Sequence, residues 1–303
     1  PQVAGITTLV RQRMNEDPAF KKLSASEKTA LVSNFLMGTA HPLVDLEQGD
    51  GTYYSPRRVG AGQVDAVAAT TSYVYPTVVG AANPSRPKAD LGDGTSGWSF
   101  QVELTNMSTE AHTYTLGGQA LSEIVEGELF TEHSTNWAGQ GIDLTFSSES
   151  VTVPAKSSAT VTVTVTPRSA FASYANANAP KGTFIDGAVT FTSTDGAPDL
   201  TVPYMGFYGS WGAPAVFDGK WYDGKTSTAH ACSSTLMNPA TDVPLGALNP
   251  LVGQDPMSVR AVDPAYFIMS RSAAQEAPSK MLPRTCMLRN TPELTYTYTN
   301  EAG

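Results

Sequence analysis

His41, His112, His133 and His230 are the four imidazoles of this chain, and acid–base chemistry near neutral pH would start from them. Asp45, Asp50, Asp65 and Asp218 could orient a histidine base only in the general sense that they are carboxylates. The Gly-x-Ser-x-Gly turn that presents a hydrolase serine is absent, so each histidine reads as a surface or loop residue. Asp90-Leu91-Gly92-Asp93-Gly94, together with Asp143, Asp186 and Asp195, raises calcium as one reading. EF-hand spacing is missing, and plain turns are the preferred reading. Cys232 and Cys286 are too few for a disulfide scaffold and match no metal spacing, but they are available to pair in an oxidising setting. Asn106-Met107-Ser108 fits a glycosylation acceptor and reads as incidental. Tyr53-Tyr54 and Trp221-Tyr222 offer sugar-stacking faces, with packing at domain seams preferred. No catalytic, cofactor-binding or metal-binding residue is assigned to the chain.

Composition narrows the partners. The chain has 303 residues, a formal net charge of -9 and 16% charged residues. This acidic balance argues against nonspecific nucleic-acid binding. No apolar run approaches the ~18–20 residues that span a bilayer. The low-charge, Thr-rich composition fits an exported β-rich protein, and the length predicts two or more domains.

Three stretches differ in period. Residues 1–70 are helical in pattern. Val3, Ile6, Val10 and Met14 recur at spacings of three and four, with Leu9 widening the stripe, while Arg11, Arg13 and Glu16 fall towards the other face. Ser24-Ala25-Ser26-Glu27 reads as a capping box opening a second helix through Leu31, Val32, Phe35 and Leu36, with Gly38 as its stop. Residues 71–212 change to a period of two: Trp98–Asn106, Thr113–Leu116, Ile142–Phe146 and Val151–Pro154. Thr160–Thr166 is the clearest strand, with Val161, Val163 and Val165 facing inward. Met107-Ser108 reads as the turn from Trp98–Asn106 to Thr113–Leu116, and Pro154–Ser158 as a hairpin connection. The spacing predicts an antiparallel sandwich. Residues 213–303 are irregular, with short strands expected at Tyr266–Met269 and Leu294–Tyr298.

Several segments resemble subtilisin-like serine proteases. Pro1, Val3, Ala4 and Gly5 are similar to the tail of Gly-Thr-Ser-Met-Ala-Ser-Pro-x-Val-Ala-Gly, the nucleophile motif of that family. Val59-Gly60-Ala61-Gly62-Gln63-Val64-Asp65-Ala66 resembles the segment that closes the catalytic domain, where its final helix begins. Lys181–Phe191, Asp195–Leu200 and Val202-Pro203-Tyr204-Met205-Gly206-Phe207-Tyr208-Gly209-Ser210-Trp211 resemble the fibronectin-type-III-like domain of lactocepin-type cell-envelope proteinases and of the streptococcal complement-degrading peptidase. Pro214–Gly219 resembles the link into a second sandwich of these enzymes, and Met287–Asn290 is similar to that second module. None of the histidines stands in a His-Gly-Thr-His-Val-like setting.

The resemblance implies a mostly β chain: a fibronectin-III-like antiparallel sandwich (71–212), an N-terminal helical end of an α/β subtilase catalytic domain (1–70), and a linker with a partial second β-sandwich (213–303). It implies a secreted or cell-wall-associated serine endopeptidase as parent, acting on proteins or peptides, with Asp, His and Ser expected upstream of Pro1 and the fragment itself inactive. A stand-alone sandwich used for binding or adhesion is the alternative. The first helix, separated from a catalytic sheet, is expected to be poorly ordered or covered. The second helix, the sandwich edge or another copy of the chain are the available covers, so a homo-oligomer is one expected outcome. Tyr204, Phe207 and Trp211 are expected to pack where two domains meet, and Pro203 at a sheet edge.

Overall fold

The computed structural model describes residues 2–213 except 128, and beyond them 216–217, 234–239, 243–245, 280–287, 291, 293–297 and 299. The chain divides into two compact units, Pro1–Trp211 and Gly212–Gly303. The first begins with α1 (Gln2–Glu16), α2 (Ala25–Gly38), α3 (Pro56–Val59) and α4 (Ala66–Thr71). Strands follow as β1 (Val74–Val78), β2 (Ala89–Gly94), β3 (Trp98–Asn106), β4 (His112–Glu126), β5 (Leu129–Asn136), β6 (Ile142–Phe146), β7 (Ser150–Val153) and β8 (Ser158–Pro167). Helix α5 (Ser169–Asn178) then leads into β9 (Thr183–Ser193) and β10 (Leu200–Tyr208).

The strands form the two layers of a sandwich. One sheet runs β1-β3-β8-β6; the other runs β2-β10-β9-β4-β5, with β7 also paired to β4. Pairing is antiparallel throughout except between β10 and β2. The Thr/Val alternation of β8 sets its register: Val161, Val163 and Val165 are fully buried against Phe100, Leu104 and Phe191 in one core. Burying each is worth roughly 1.5–3 kcal/mol relative to exposure.

Several local expectations are corrected. Strand β4 does not pair with β3; it lies in the opposite sheet, beside β9, β5 and β7. Residues 154–157 are accordingly not a hairpin but a crossing between sheets, with Lys156 in the left-handed region (φ 53°) and its N–H donating to the Ser108 carbonyl at 3.1 Å. Asp90–Gly94 is not a turn but most of β2, an edge strand parallel to β10. Pro203 is flanked by β9, but β2 begins only opposite Tyr204, so an edge exists locally where the missing N–H costs nothing.

The helical segment builds a second, smaller core against the sandwich. Val10, Met14, Phe20, Leu31, Val32, Phe35 and Ala69 cluster together, with Tyr73, Tyr75 and Met107 packed on them. The capping box at Ser24 forms as read: its Oγ accepts from Glu27 N, and its N–H donates to the Glu27 carboxylate at 2.7 Å. Gly38 ends α2, although its reason is contact rather than a left-handed cap. A Cβ there would stand 2.5 Å from the Pro76 ring of β1. Arg13 departs from the outward face expected of it. Its guanidinium lies over the rings of Tyr73 (4.4 Å) and Phe20 (4.9 Å) and donates to the Ser72 carbonyl at 2.6 Å. The inner stripe of α1 is therefore ordered and covered within the chain, with Val10 and Met14 packed in one cluster with Leu31 and Phe35 of the second helix, one of the covers expected for it. Val3 and Leu9 stay 54% and 50% exposed.

In the second unit, β11 (Thr235–Asn238), β12 (Val243–Pro244) and β13 (Leu282–Arg284) form an antiparallel sheet ordered β12-β11-β13. Cys286 is disulfide-bonded, and Cys232 is the other cysteine of the chain. The strand expected at Leu294–Tyr298 does not form over residues 293–297; Tyr266–Met269 and residues 288–290 lie outside the described residues.

Candidate functional site at the seam of helices and sandwich

The chemistry-bearing side chains of the first unit gather where the 41–65 segment meets the sandwich. Helix α3 starts with Pro56 at its first turn and Ser55 as N-cap. The Ser55 hydroxyl accepts from Arg57 N and donates to Asp186 Oδ2 at 2.5 Å. Arg57 Nε reaches the same oxygen at 2.8 Å, and its other arm meets Glu123 at 2.7 Å. Arg58 holds the second Glu123 oxygen at 2.9 Å and the Thr131 carbonyl at 2.9 Å. The Arg57 guanidinium also stacks 4.2 Å from the Phe184 ring centroid. Burial pushes the Asp186 carboxyl above the usual carboxylate range even though Arg57 opposes the shift. Asp186 is 1% exposed. A buried carboxylate of this kind needs its cation, and here a side chain of α3 supplies it.

This arrangement removes the calcium reading of Asp186, whose cation is Arg57 and whose place is mid-strand in β9 rather than in a turn. Asp143 pairs with Arg168 at 2.6 Å, and Asp90 with Lys88 at 2.5 Å. Asp195 is a loop tie, accepting from Thr113 N and Ala197 N. Asp50 accepts from Thr52 N. Tyr53 and Tyr54 are half-buried seam residues; Tyr53 N donates to the Gln119 side chain at 2.9 Å. Tyr204 is corrected from a seam residue to a core one, its hydroxyl donating to the Gln119 carbonyl at 2.9 Å. Phe207 and Trp211 instead stack edge-on with centroids 4.9 Å apart beside Phe184.

The histidines fall in three settings, with His230 outside the described residues, as are Asp218, Trp221 and Tyr222. His41 Nε2 meets Asp65, the N-cap of α4, at 2.9 Å. His133 Nδ1 meets Asp45 at 2.6 Å. Burial alone would raise Asp45, but hydrogen bonds from His133, the Gln48 side chain and the Gln48 and Glu47 backbone hold it down to about 2. The Asp45 hydrogen bond pushes His133 up.

His112 gives an arrangement that sequence order concealed. Its Nε2 lies 3.2 Å from Ser108 Oγ and its Nδ1 3.3 Å from Asp195 Oδ1. A serine and a histidine are thus brought together, although the sequence carries no nucleophile motif. The Ser108 hydroxyl, however, sits in its own turn, 2.8 Å from the Glu110 carbonyl and accepting from Glu110 N. Its proton is directed to that carbonyl, so the string works as a loop tie. Asn106 is 1% exposed, and its Nδ2 faces the carbonyls of Glu110, Val153 and Pro154, which leaves no nitrogen for a glycan.

Residues 90–205 match the model of an Fn3-like domain. The chain is 29% identical over 228 residues to the PII-type proteinase of Lactococcus lactis subsp. cremoris, covering 72% of this chain and 11% of that protein. The PII-type proteinase of Lacticaseibacillus paracasei gives the same figures. The C5a peptidase of Streptococcus pyogenes serotype M1 is 27% identical over 236 residues, 76% of this chain and 18% of that protein. The chain thus spans between a tenth and a fifth of the length of these relatives. With its fold and its match to the Fn3-like model, the chain resembles, over some three quarters of its length, the subtilisin-like cell-envelope proteinases and C5a peptidases.

Proposed function

We propose that this chain is a non-catalytic part of a secreted or cell-wall-associated subtilisin-like serine endopeptidase that cleaves proteins. In this reading residues 1–70 are the closing segment of the catalytic domain, 71–212 the Fn3-like sandwich, and 213–303 a linker with part of a second β module. The sandwich anchors the closing segment and so supports the catalytic domain and the placement of protein substrate. The observation that carries the reading is the Ser55–Arg57–Asp186–Glu123 lock, joining the post-catalytic helix to the sandwich by buried charge. Such a joint fixes one orientation, because any other leaves Asp186 without its cation. The disulfide at Cys286 fits an oxidising, exported setting. Among the described residues no helix is long and apolar enough to cross a membrane. The exposed Val3 and Leu9 of α1 are the face that the upstream catalytic domain covers; a second copy of the chain is the competing occupant.

The triad of the parent enzyme lies outside this chain in this reading. A fluorophosphonate probe is expected to label no serine of the purified chain, and labelling at Ser108 would overturn the assignment. The alternative, a stand-alone binding or adhesion module, is favoured by the closed N-terminal core around Phe20 and Phe35. A Leu9→Cys variant separates the two. Its thiol should react with a maleimide in this chain and be protected when the chain is joined to its catalytic domain. Equal reactivity in both would favour the binding module.

A further inference from the structure

Glu47, Glu132 and His133 each offer a ligand atom, and the three atoms lie within 4.8 Å of one another. Glu47 belongs to the loop between the bridged residues Val44 and Tyr53, whereas Glu132 and His133 belong to β5. Glu47 Oε2 already stands 3.7 Å from His133 Nε2. Neither Glu47 nor Glu132 is ion-paired with a lysine or arginine among the described residues.

The imidazole is aimed by a residue outside this trio. Asp45 is fully buried and its ionised carboxylate can only accept, so the 2.6 Å contact puts a proton on His133 Nδ1. The lone pair of neutral His133 is then at Nε2, the nitrogen that stands 3.7 Å from Glu47 Oε2. Asp45 is itself fixed by the N–H of Glu47 at 3.0 Å and by Gln48 Nε2 at 3.1 Å. Gln48 also donates to the Ser134 carbonyl at 2.9 Å, setting the loop against the strand. A carboxylate behind a histidine whose far nitrogen faces further anionic donors is the outer-shell arrangement of zinc-bound histidines. His41 and His112 differ: each meets one carboxylate at the ring and, among the described residues, has no gathered acidic donors.

We propose that Glu47, Glu132 and His133 bind one divalent transition metal ion of the zinc type, clamping the 44–53 loop to β5. One imidazole and two carboxylates suit zinc over calcium or magnesium, which favour all-oxygen shells. Zinc ligands at about 2.0–2.2 Å in a tetrahedron stand roughly 3.3–3.6 Å apart. The Glu47 side chain, 74% exposed, is free to close from its present 3.7 Å to that separation. Water fills the fourth position. The clamp is independent of the parent enzyme's identity, since both halves of the site lie in this chain.

The test uses the full chain, stripped with a chelator and titrated with zinc chloride by calorimetry while its melting temperature is followed. One zinc per chain and a zinc-dependent rise in melting temperature are expected. Glu132→Gln and His133→Gln should abolish both effects, and Asp45→Asn should weaken zinc by roughly 10–100-fold. Because Glu47 is largely exposed, Glu47→Gln should melt like wild type without metal yet lose at least tenfold in zinc affinity. No zinc uptake by the wild type would overturn the site. So would unchanged uptake by Glu47→Gln and Glu132→Gln, which would place the ion elsewhere. Calcium chloride binding as tightly as zinc would overturn the assignment of the metal.

Discussion

Val163 in β8 and Asp186 in β9 are both interior residues of the same sandwich, but opposite physics holds them there. Val163 is surrounded by apolar side chains and needs no particular partner, only volume. Asp186 needs Arg57 and Ser55 in specific positions, because a buried carboxylate without a cation costs several kcal/mol. The apolar interior gives stability that many sequences could supply. The charged seam adds little net stability, since desolvation consumes most of the attraction, but it penalises every misplacement of α3. The core therefore makes the domain fold, and the seam decides how the helical segment sits on it.

The sharpest way to break this contrast is in the core. Val163→Asp places a charge beside its cross-strand neighbours Phe100 and Phe146 with no partner and should unfold the sandwich. Thr162→Asp, one residue along on the outer face, should lower the melting temperature only slightly. Equal effects would mean that the β8 register is wrong. At the seam, Arg57→Ala should cost about 3–5 kcal/mol in urea unfolding, because Asp186 and Glu123 lose their cation. The double variant Arg57→Met/Asp186→Leu should recover a large part of that loss. A double variant no better than the single would show that the seam contributes through attraction rather than geometry.

Gly38 offers a smaller test of close packing. Alanine usually stabilises a helix relative to glycine by about 1 kcal/mol, but here its Cβ meets the Pro76 ring. Gly38→Ala should destabilise by about 1–3 kcal/mol instead. The smallest effect belongs to Asp65, the N-cap of α4. Its pKa is lowered first by the Ala68 N–H and then by His41. A lowered folded pKa gives stability that is full above the unfolded value near 3.8 and fades as pH falls through the folded value. Asp65→Asn should thus leave neutral stability nearly unchanged and flatten the loss below about pH 4. Asp65→Ala should cost about 0.5–2 kcal/mol at neutral pH. An unaltered acid limb in Asp65→Asn would assign that limb to other carboxylates.

Local signals were legible in the sequence wherever the chain met them locally. The Thr/Val alternation fixed the inward face of β8, and Ser24 with Glu27 fixed the start of α2, because a pleat and a capping box involve only near neighbours. Strand β2 was not legible, since Asp90-Leu91-Gly92-Asp93-Gly94 has turn composition and is extended only because β10 provides hydrogen-bond partners. The sheet assignment of β4 and β7 was equally hidden: their turns look like hairpins, and only the packing of two layers sends successive strands to opposite sheets. Arg13 appeared to be a solvent-face residue until Tyr73, sixty residues on, provided a ring for it to cover.

What the sequence by itself determined was the periodicity, the mostly β class and the resemblance to cell-envelope proteinases, all carried by short stretches of neighbouring residues. Only the tertiary structure decided which charges are partners. Arg57 meets Asp186, Asp45 meets His133 and Asp195 meets His112 across separations that no spacing rule reads. The physical reason is that alternation and capping are set by backbone geometry within a few residues. Charge pairing is set by which side chains lose water together, and that depends on the whole fold.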